Sequence, residues 1–277
     1  MSYYWFIFCK TDLMLEKTSD GSHTIPYGEE PPVSVKEWTT IHTIDIPEPI
    51  LPGNGDTKAK TLRIDSPITD HPSYEMIGLR ASYHLLPRHL YLIAGKCQEI
   101  LYWDSNTKFC GVCGAPMKLH TNISKRCTEC GKEVWPQLAT AVIVLIQRKA
   151  ANGNPKHREV LLVHANNFRS NYYGLVAGFV ETGETLEEAV VREVKEEVGL
   201  QIENLRYFGS QPWPYPCGLM VGFNADYAGG DIHLQRSELG SGGWFTADQL
   251  PQIPDKMSIA RKLIDNWLDN LQGNCVR

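Results

Sequence analysis

Three glutamates beyond the middle of the chain have the spacing of a metal site. Glu193, Glu196 and Glu197 stand at i, i+3 and i+4, so on a helix all three side chains point the same way. Carboxylates on one patch repel each other, and a hard divalent cation with oxygen ligands relieves that repulsion. Arg192 is adjacent and can orient a carboxylate. A solvated acidic helix face gives the same pattern, so the carboxylates alone leave both interpretations open.

Four cysteines form a second constellation. They make two C-x-x-C pairs, Cys110/Cys113 and Cys127/Cys130, and a glycine directly follows each pair. Each pair makes a tight turn that points two sulfurs at one centre, and four thiolates in a closed tetrahedron suit structural Zn²⁺. A catalytic zinc would keep an open position for water. The pattern predicts a zinc-bound staple that joins two domains.

The surroundings of these cysteines favour metal binding over other uses. No basic, signal-like segment precedes the apolar residues at the N-terminus, so a secreted disulfide framework is not expected. A nucleic-acid-binding ribbon is the alternative, but its neighbours are not basic. The remaining cysteines are scattered and are expected to be free thiols in a reducing cytoplasm: Cys9, Cys97, Cys217 and Cys275.

Composition limits the function classes. The chain of 277 residues has a net charge of −5, whereas proteins that bind nucleic acid without specificity usually present a basic field to the phosphates. A small anionic substrate that brings its own metal ions needs no such field. No run of about twenty apolar residues occurs, so we expect a soluble protein without a membrane partner.

The acidic trio must be carried by a helix, and the local sequence predicts one. Thr185-x-x-Glu188 is a capping box that starts a helix near Leu186, and Gly199 is the expected stop. One apolar face runs along this helix, formed by Leu186, Ala189, Val190, Val194 and Val198.

Strands are expected on both sides of the cysteines. The apolar run 3–9 predicts a buried first strand, and the run 141–146 predicts a strand buried on both faces. After a polar loop, residues 160–163 are expected to form a second strand. The two strands and the loop between them indicate a hairpin. Helical spacing predicts a helix over about 83–102 and a last helix with Ile259, Leu263, Trp267 and Leu271 on its core face.

These elements predict three parts of the chain: residues 1–105, with mixed strands and a helix; residues 106–136, with the cysteines; and residues 137–277, an α/β sandwich with a mixed sheet.

The segment Gly178–Leu200 matches G-x5-E-x7-R-E-U-x-E-E-x-G-U at every defined position, where U is a bulky aliphatic residue. It resembles the signature of the Nudix hydrolases, which cleave nucleoside diphosphates linked to another group. The resemblance implies an α+β chain whose last part is a Nudix α/β/α sandwich. It also implies that Glu193 and Glu197 bind Mg²⁺ or Mn²⁺, with Glu196 close by.

A second motif narrows the substrate. Ser210–Pro216 reads SQPWPYP and is similar to the SQPWPFP motif of the NADH pyrophosphatases, the NudC-type subfamily. Those proteins also carry a four-cysteine zinc ribbon before the Nudix domain. Further similarities are WPQLA from Trp135, LVAGF ending at Phe179, and IPYG from Ile25. The resemblance covers nearly the whole chain and is dense after residue 105.

This resemblance implies a set of site residues. Phe179 should stack against the nicotinamide, and the Ala177 carbonyl should be an additional metal ligand. The residues expected to line the substrate pocket are Gln211, Pro212, Trp213, Pro214, Tyr215, Pro216, Cys217, Gly218, Ala260, Trp135 and Ile143.

The implied reaction is hydrolysis of NAD(H) to AMP and nicotinamide mononucleotide by a homodimer, and the same site can remove NAD caps from RNA. Two alternatives stay open: a catalytically weak, dinucleotide-binding regulatory protein, and a hydrolase for another diphosphate such as ADP-ribose.

The chain departs from the family pattern at two places. Cys217-Gly218 stands where the family has a residue and then Ser, so one hydroxyl is lost. The family usually has a metal-binding Glu three residues before the pair that corresponds to Trp244-Phe245, and this position is Ser241 here. Ser241 can ligate the metal only as a weak neutral oxygen, and Glu238 or Asp231 is the alternative ligand.

Overall fold

The computed structural model describes residues 1–46, 58–149, 158–167 and 171–271, and Cys275 therefore lies outside the described residues. The chain divides into two compact units. The first is Met1–Gln137 together with Pro214–Cys217, and the second is Leu138–Trp213 together with Gly218–Arg277.

The first unit begins with the predicted buried strand. Trp5 to Cys9 are all buried, because this strand lies inside a sheet whose seven described strands pair in the order β3-β2-β1-β6-β5, with β4 beside β1 and β7 beside β2. The elements of this part are β1 (Tyr3–Cys9), β2 (Asp12–Lys17), β3 (His23–Thr24), β4 (Tyr27–Gly28), β5 (His42–Ile44), β6 (Lys58–Arg63), β7 (Tyr74–Gly78), α1 (Leu79–Ser82) and α2 (Arg88–Asn106).

Helix α2 corrects one predicted boundary. We predicted a helix over about 83–102, and the structure has it from Arg88 to Asn106. Pro87 is the N-cap residue, since a proline inside a helix would lack the N–H for a backbone hydrogen bond and would clash with the preceding turn. The apolar residues whose helical spacing predicted this helix include Leu90, Ile93 and Cys97, and all three are buried.

The cysteine region forms a small antiparallel sheet of its own, made of β8 (Met117–Thr121), β9 (Ser124–Cys127) and β10 (Glu133–Val134). The glycines after the two cysteine pairs adopt the left-handed conformation, with φ of 77° at Gly114 and 72° at Gly131. Glycine adopts this conformation without the steric cost of a side chain, so it lets each tight turn close.

The second unit contains a mixed sheet in the order β14-β15-β11-β12-β16, with β13 beside β11. Strands β11 and β15 are parallel, and the other pairs are antiparallel. The elements are β11 (Ala139–Lys149), β12 (Arg158–Ala165), β13 (Val176–Phe179), α3 (Leu186–Val198), β14 (Gln201–Trp213), β15 (Gly218–Gly229), β16 (Leu239–Thr246), a 3-10 turn (Ala247–Gln249) and α4 (Ile259–Leu271).

Each face of this sheet is covered by one helix. Val142, Val144 and Ile146 of β11 pack with the apolar face of α3, whereas Ile143 and Leu145 pack with α4. Alternate residues of a strand point to opposite faces, which explains the continuous apolar run in the sequence. The predicted sandwich with a mixed sheet is confirmed. Among the described residues, no helix is long and apolar enough to span a membrane.

Candidate active site

Helix α3 begins and ends at the predicted residues. The Thr185 hydroxyl accepts a hydrogen bond from the Glu188 N–H at 3.2 Å, and the Glu188 carboxylate accepts one from the Thr185 N–H at 2.7 Å. Gly199 closes the helix in the left-handed conformation with φ of 74°. Both ends are therefore set by local residues, which fixes the direction in which the three glutamates point.

The carboxylate of Glu193 rests on a glycine of β13. A Cβ atom built on Gly178 would lie 2.0 Å from the Glu193 carboxyl carbon, so any side chain at that position would displace the glutamate. Glu197 is 5% exposed, whereas Glu196 is exposed. The structure thus buries Glu197, leaves Glu193 half-buried against Gly178 and leaves Glu196 at the surface.

Arg192 holds this arrangement together. Its guanidinium donates to both carboxylate oxygens of Glu184, at 2.6 and 3.0 Å, and to the Phe179 carbonyl at 2.9 Å. It also donates to Glu193 at 2.9 Å and to Glu196 at 3.2 Å. A bidentate pair of this kind fixes the plane of the guanidinium, so Arg192 ties α3 to the end of β13. Sequence reasoning did not assign a role to Glu184, although it is the defined glutamate of the Nudix signature.

The carboxyl groups of the cluster differ in the direction of their pKa shifts. Burial raises the pKa of Glu197 to about 8, and the nearby carboxylates of Glu193, Glu238 and Glu196 add to this shift. Burial also raises the pKa of Glu193. In contrast, the hydrogen bonds from Arg192 lower the pKa of Glu184 to about 2.

The acidic cluster therefore has more negative charge than Arg192 compensates. Oxygen donors with excess negative charge are the ligands that a hard divalent cation prefers, and such a cation would favour the ionised form of Glu193 and Glu197. The chemistry of these residues therefore fits a divalent metal ion.

Glu238 lies near this cluster, and its position follows from the loop before β16. The N–H of Gln235 donates to the Glu197 carbonyl at 2.8 Å, and the N–H of His233 donates to the Val198 carbonyl at 2.9 Å. These bonds fasten the loop to the end of α3. Consistent with this, the charge of Glu238 raises the pKa of both Glu193 and Glu197.

The Ser241 side chain is hydrogen-bonded to a tyrosine on the α4 side of the sheet. Its hydroxyl is hydrogen-bonded to the Tyr173 hydroxyl at 2.8 Å, and Tyr173 packs in the core on the α4 side of the sheet. In β16, Ser241 pairs with His164, and a register shift follows between His164 and Ala165. Asp231 is exposed. Of the three candidates for the missing ligand, Glu238 is the one whose charge acts on the cluster.

The predicted pocket residues of the second unit lie in two places. Ile143 and Ala260 are buried in the core on the α4 side, and Ala177 packs against that core. Phe179, at the end of β13, is 65% exposed, which leaves its ring free to stack on a ligand. The Ala177 carbonyl belongs to the strand that leads directly to Gly178.

Strands β14 and β15 carry the proline motif, with Trp213 paired to Gly218. The side-chain amide of Gln211 is fixed on both sides, since it donates to the Met257 carbonyl at 2.9 Å and accepts from the Lys262 ammonium at 2.9 Å. Pro212 is exposed and Trp213 is half-buried. Sequence reasoning missed Lys262, which stands two residues after the predicted contact Ala260.

The rest of the motif belongs to the first unit. Pro214 and Cys217 are buried there, whereas Tyr215 is half-buried and Pro216 is exposed. The Cys217 thiol donates to the Gln137 carbonyl at 3.0 Å. Trp135, another predicted contact in this unit, is 50% exposed.

The four cysteines of the ribbon converge on one point. Their sulfurs all lie within 4.8 Å of one another, with 3.6 Å between Cys110 and Cys130 and 3.4 Å between Cys113 and Cys127. Zn–S bonds of about 2.3 Å place tetrahedral sulfurs about 3.8 Å apart, whereas a disulfide needs about 2.05 Å. The N–H groups of Glu129 and Cys130 lower the pKa of Cys127 to about 6. This is a structural zinc site.

Three protein families match the chain in sequence order. The NADH pyrophosphatase-like rudimentary NUDIX domain matches residues 2–103, the NADH pyrophosphatase zinc ribbon domain residues 105–134, and the NUDIX domain residues 137–267.

Curated relatives are similar over much of this length. The NAD-capped RNA hydrolase NudC of Pectobacterium atrosepticum is 46% identical over 64% of this chain and 65% of that protein. The protein of the same name from Deinococcus radiodurans is 41% identical over 72% of this chain and 70% of its own length. The one from Vibrio vulnificus is 38% identical over 73% and 74%, respectively.

Proposed function

The chain belongs to the NudC-type group of the Nudix family, and on that basis we propose that it hydrolyses the diphosphate bond of NADH and NAD⁺ to AMP and nicotinamide mononucleotide. The observation that carries this proposal is the pair of glutamates on α3: Glu193 is held by Arg192 and rests against Gly178, and Glu197 is buried one helical turn further on. Their excess negative charge matches the divalent ions that a diphosphate substrate requires.

The metal proposed for this cluster is Mg²⁺ or Mn²⁺. When bound, such ions neutralise the diphosphate and lower the pKa of a water molecule for attack on phosphorus. Glu193, Glu197 and Glu238 would hold the ions, with the Ala177 carbonyl as a further oxygen ligand. Glu196 is exposed at the rim, where it accepts a hydrogen bond from Arg192 at 3.2 Å. Arg192 keeps the glutamates in place through its contacts with α3 and β13, so their geometry needs little reorganisation during the reaction.

The substrate is proposed to lie with its nicotinamide against Phe179 and the proline motif, Gln211–Gly218. Phe179 offers an exposed ring, and stacking on a flat ring suits nicotinamide. An RNA with an NAD cap presents the same diphosphate bond, so we propose cap removal as a second activity of this site. The names of the curated relatives support it.

Three further expectations accompany the proposal. Zinc-bound thiolates favour a reducing compartment, so the cytoplasm is the proposed location. A homodimer is proposed from family resemblance. The proposed functional division is an N-terminal domain over 1–105, a ribbon over 106–136 and a hydrolase domain over 137–277.

Substitution of Glu197 tests the proposal. Glu197→Gln keeps the size of the side chain and removes the charge, so kcat for NADH should fall at least about 100-fold if the metal ions supply several kcal/mol of transition-state stabilisation. Glu187→Gln is the matched control, because Glu187 is an exposed glutamate at the start of the same helix. Turnover is followed by AMP formation in Mg²⁺ or Mn²⁺. Equal turnover in the two variants would refute the proposal.

A further inference from the structure

The turn between β14 and β15 lies along one face of α2. Pro214 packs on Gly95, since a Cβ built there would lie 3.1 Å from the Pro214 Cγ. The Tyr215 hydroxyl is hydrogen-bonded to the Tyr91 hydroxyl at 2.7 Å. Tyr91 and Gly95 are four residues apart, so they form a single stripe along the helix.

The same stripe continues for one more turn of the helix. Burial raises the pKa of the Cys217 thiol, and the charge of Glu99 raises it further. Glu99 lies four residues beyond Gly95 on the same helix. The turn is therefore anchored to α2 at two residues, Pro214 on Gly95 and Tyr215 on Tyr91.

Tyr91 is well placed to hold the turn rigidly. It is 7% exposed, and the Tyr83 ring packs edge-on against it, with ring centroids 5.2 Å apart. On the other side, the Arg80 guanidinium lies over the Tyr215 ring at 5.6 Å. The two tyrosine rings are thus contacted by Tyr83 and Arg80, and the hydroxyl pair between them is partly buried.

The proline motif in this chain differs from the similar SQPWPFP motif by one hydroxyl, at Tyr215. That hydroxyl is the one bonded to Tyr91. A buried hydroxyl that loses its hydrogen-bond partner costs more than one removed together with its partner. The two hydroxyls therefore form a pair in which each is the other's partner, so removal of one should cost more than removal of both.

We propose that Tyr91 is a positioning residue for dinucleotide binding, which acts by holding Tyr215 and, through it, the proline turn. Prolines fix φ at 212, 214 and 216, so a shift at Tyr215 moves Trp213 and Gln211 with it. This inference rests on the proposed function, in which Gln211–Gly218 receives the nicotinamide half of the substrate.

A double-mutant cycle in the full-length protein tests it. Tyr91→Phe and Tyr215→Phe should each raise KM for NADH about tenfold, the usual effect of one buried hydrogen bond left half-made, and should change kcat less than about twofold. The double variant should recover to within about threefold of wild type, because its effects are not additive. Tyr102→Phe, a partly exposed tyrosine of the same helix, is the control and should match wild type.

Hydrogen exchange of the peptide over 213–218 is the second readout. Each single variant should exchange faster than wild type there, and the double variant should return towards the wild-type rate. KM unchanged in both single variants, or a double variant whose KM equals the product of the two single effects, would overturn the inference.

The exchange measurement needs no substrate, so it separates two failures. A wild-type protein that leaves NADH intact would refute the proposed function. The hydroxyl pair is then judged by exchange alone: faster exchange in the single variants with recovery in the double supports it, and equal rates in all four proteins overturn it.

Discussion

At the scale of single residues, the proposed metal site requires a third ligand, for which Ser241 and Glu238 are the candidates. The resemblance to the family places Ser241 where a third acidic ligand is expected, but the Ser241 hydroxyl is engaged with Tyr173. Glu238 is exposed and acts electrostatically on Glu193 and Glu197. A carboxylate that lies near the cluster through a loop fastened to α3 is the better candidate ligand.

Two substitutions with opposite expected effects test this. Affinity for a hard cation rises with the number of charged ligands, so Glu238→Gln should raise the Mg²⁺ concentration for half-maximal activity at least about tenfold. Ser241→Glu should leave the metal requirement unchanged or impair activity, because a new carboxylate would displace the contact with Tyr173. Metal titrations at fixed NADH provide the measurement.

If Ser241→Glu instead lowered the metal requirement and Glu238→Gln had no effect, position 241 would be the position of the third metal ligand. If neither variant moved the metal dependence, the loop before β16 would lie outside the metal site, and the assignment of Glu238 would be wrong.

At the scale of elements, the ribbon depends on one buried lysine as well as on zinc. Lys125 of β9 is 4% exposed and donates to the carbonyls of Asp104 and Thr107 at the end of α2, at 2.8 and 2.9 Å. Its ammonium also pairs with the Asp104 carboxylate at 2.7 Å. A cation at a helix C-terminus stabilises the helix through its dipole, so Lys125 joins the ribbon to α2.

The contacts around Asp104 also change the pKa of its carboxyl group. Burial alone would raise the pKa of Asp104, but His42 and Lys125 outweigh it and hold that pKa at about 2. The unfolded value is about 3.9, so the folded state has the lower pKa. This contribution to stability is therefore complete above about pH 4 and is lost as pH falls from there to about 2.

Replacement of this lysine should destabilise the first unit strongly. Lys125→Met removes the cation and its hydrogen bonds to the Asp104 and Thr107 carbonyls. It leaves His42 as the remaining partner of the Asp104 carboxylate, and together these losses should cost up to about 3–5 kcal/mol. Lys118→Met, on the exposed side of neighbouring β8, is the control and should stay within about 0.5 kcal/mol of wild type. Urea unfolding, with zinc release followed by a chelating dye, provides the comparison. Identical midpoints for both variants would show that Lys125 contributes nothing.

The elements predicted from the sequence alone are those determined by residues that lie close together in the chain. Helix α3 was predicted to its ends because Thr185, Glu188 and Gly199 set them within a few residues. The zinc site followed from the spacing of two cysteine pairs. The position of Ser241 could not be predicted, because a register shift in β16 between its partners His164 and Ala165 changes which side chains face α3.

At the scale of the whole molecule, segments far apart in the sequence meet at the proline motif. Tyr91 and Tyr215 are 124 positions apart in sequence, and no periodicity or local motif can reveal such a pairing. The net charge of −5 gives no general attraction for a polyanion. We therefore expect the metal ions and the motif residues, rather than a basic surface, to supply the affinity for a dinucleotide.

The identity of the products tests the central claim most directly. Wild-type protein is incubated with NADH in water enriched in ¹⁸O, with Mg²⁺ or Mn²⁺ and separately with EDTA, and the products are analysed by mass spectrometry. We predict AMP and reduced nicotinamide mononucleotide in equal amounts, one of them labelled with ¹⁸O, only in the samples that contain metal. Intact NADH in every sample, release of free nicotinamide, or the same products in EDTA would contradict this account.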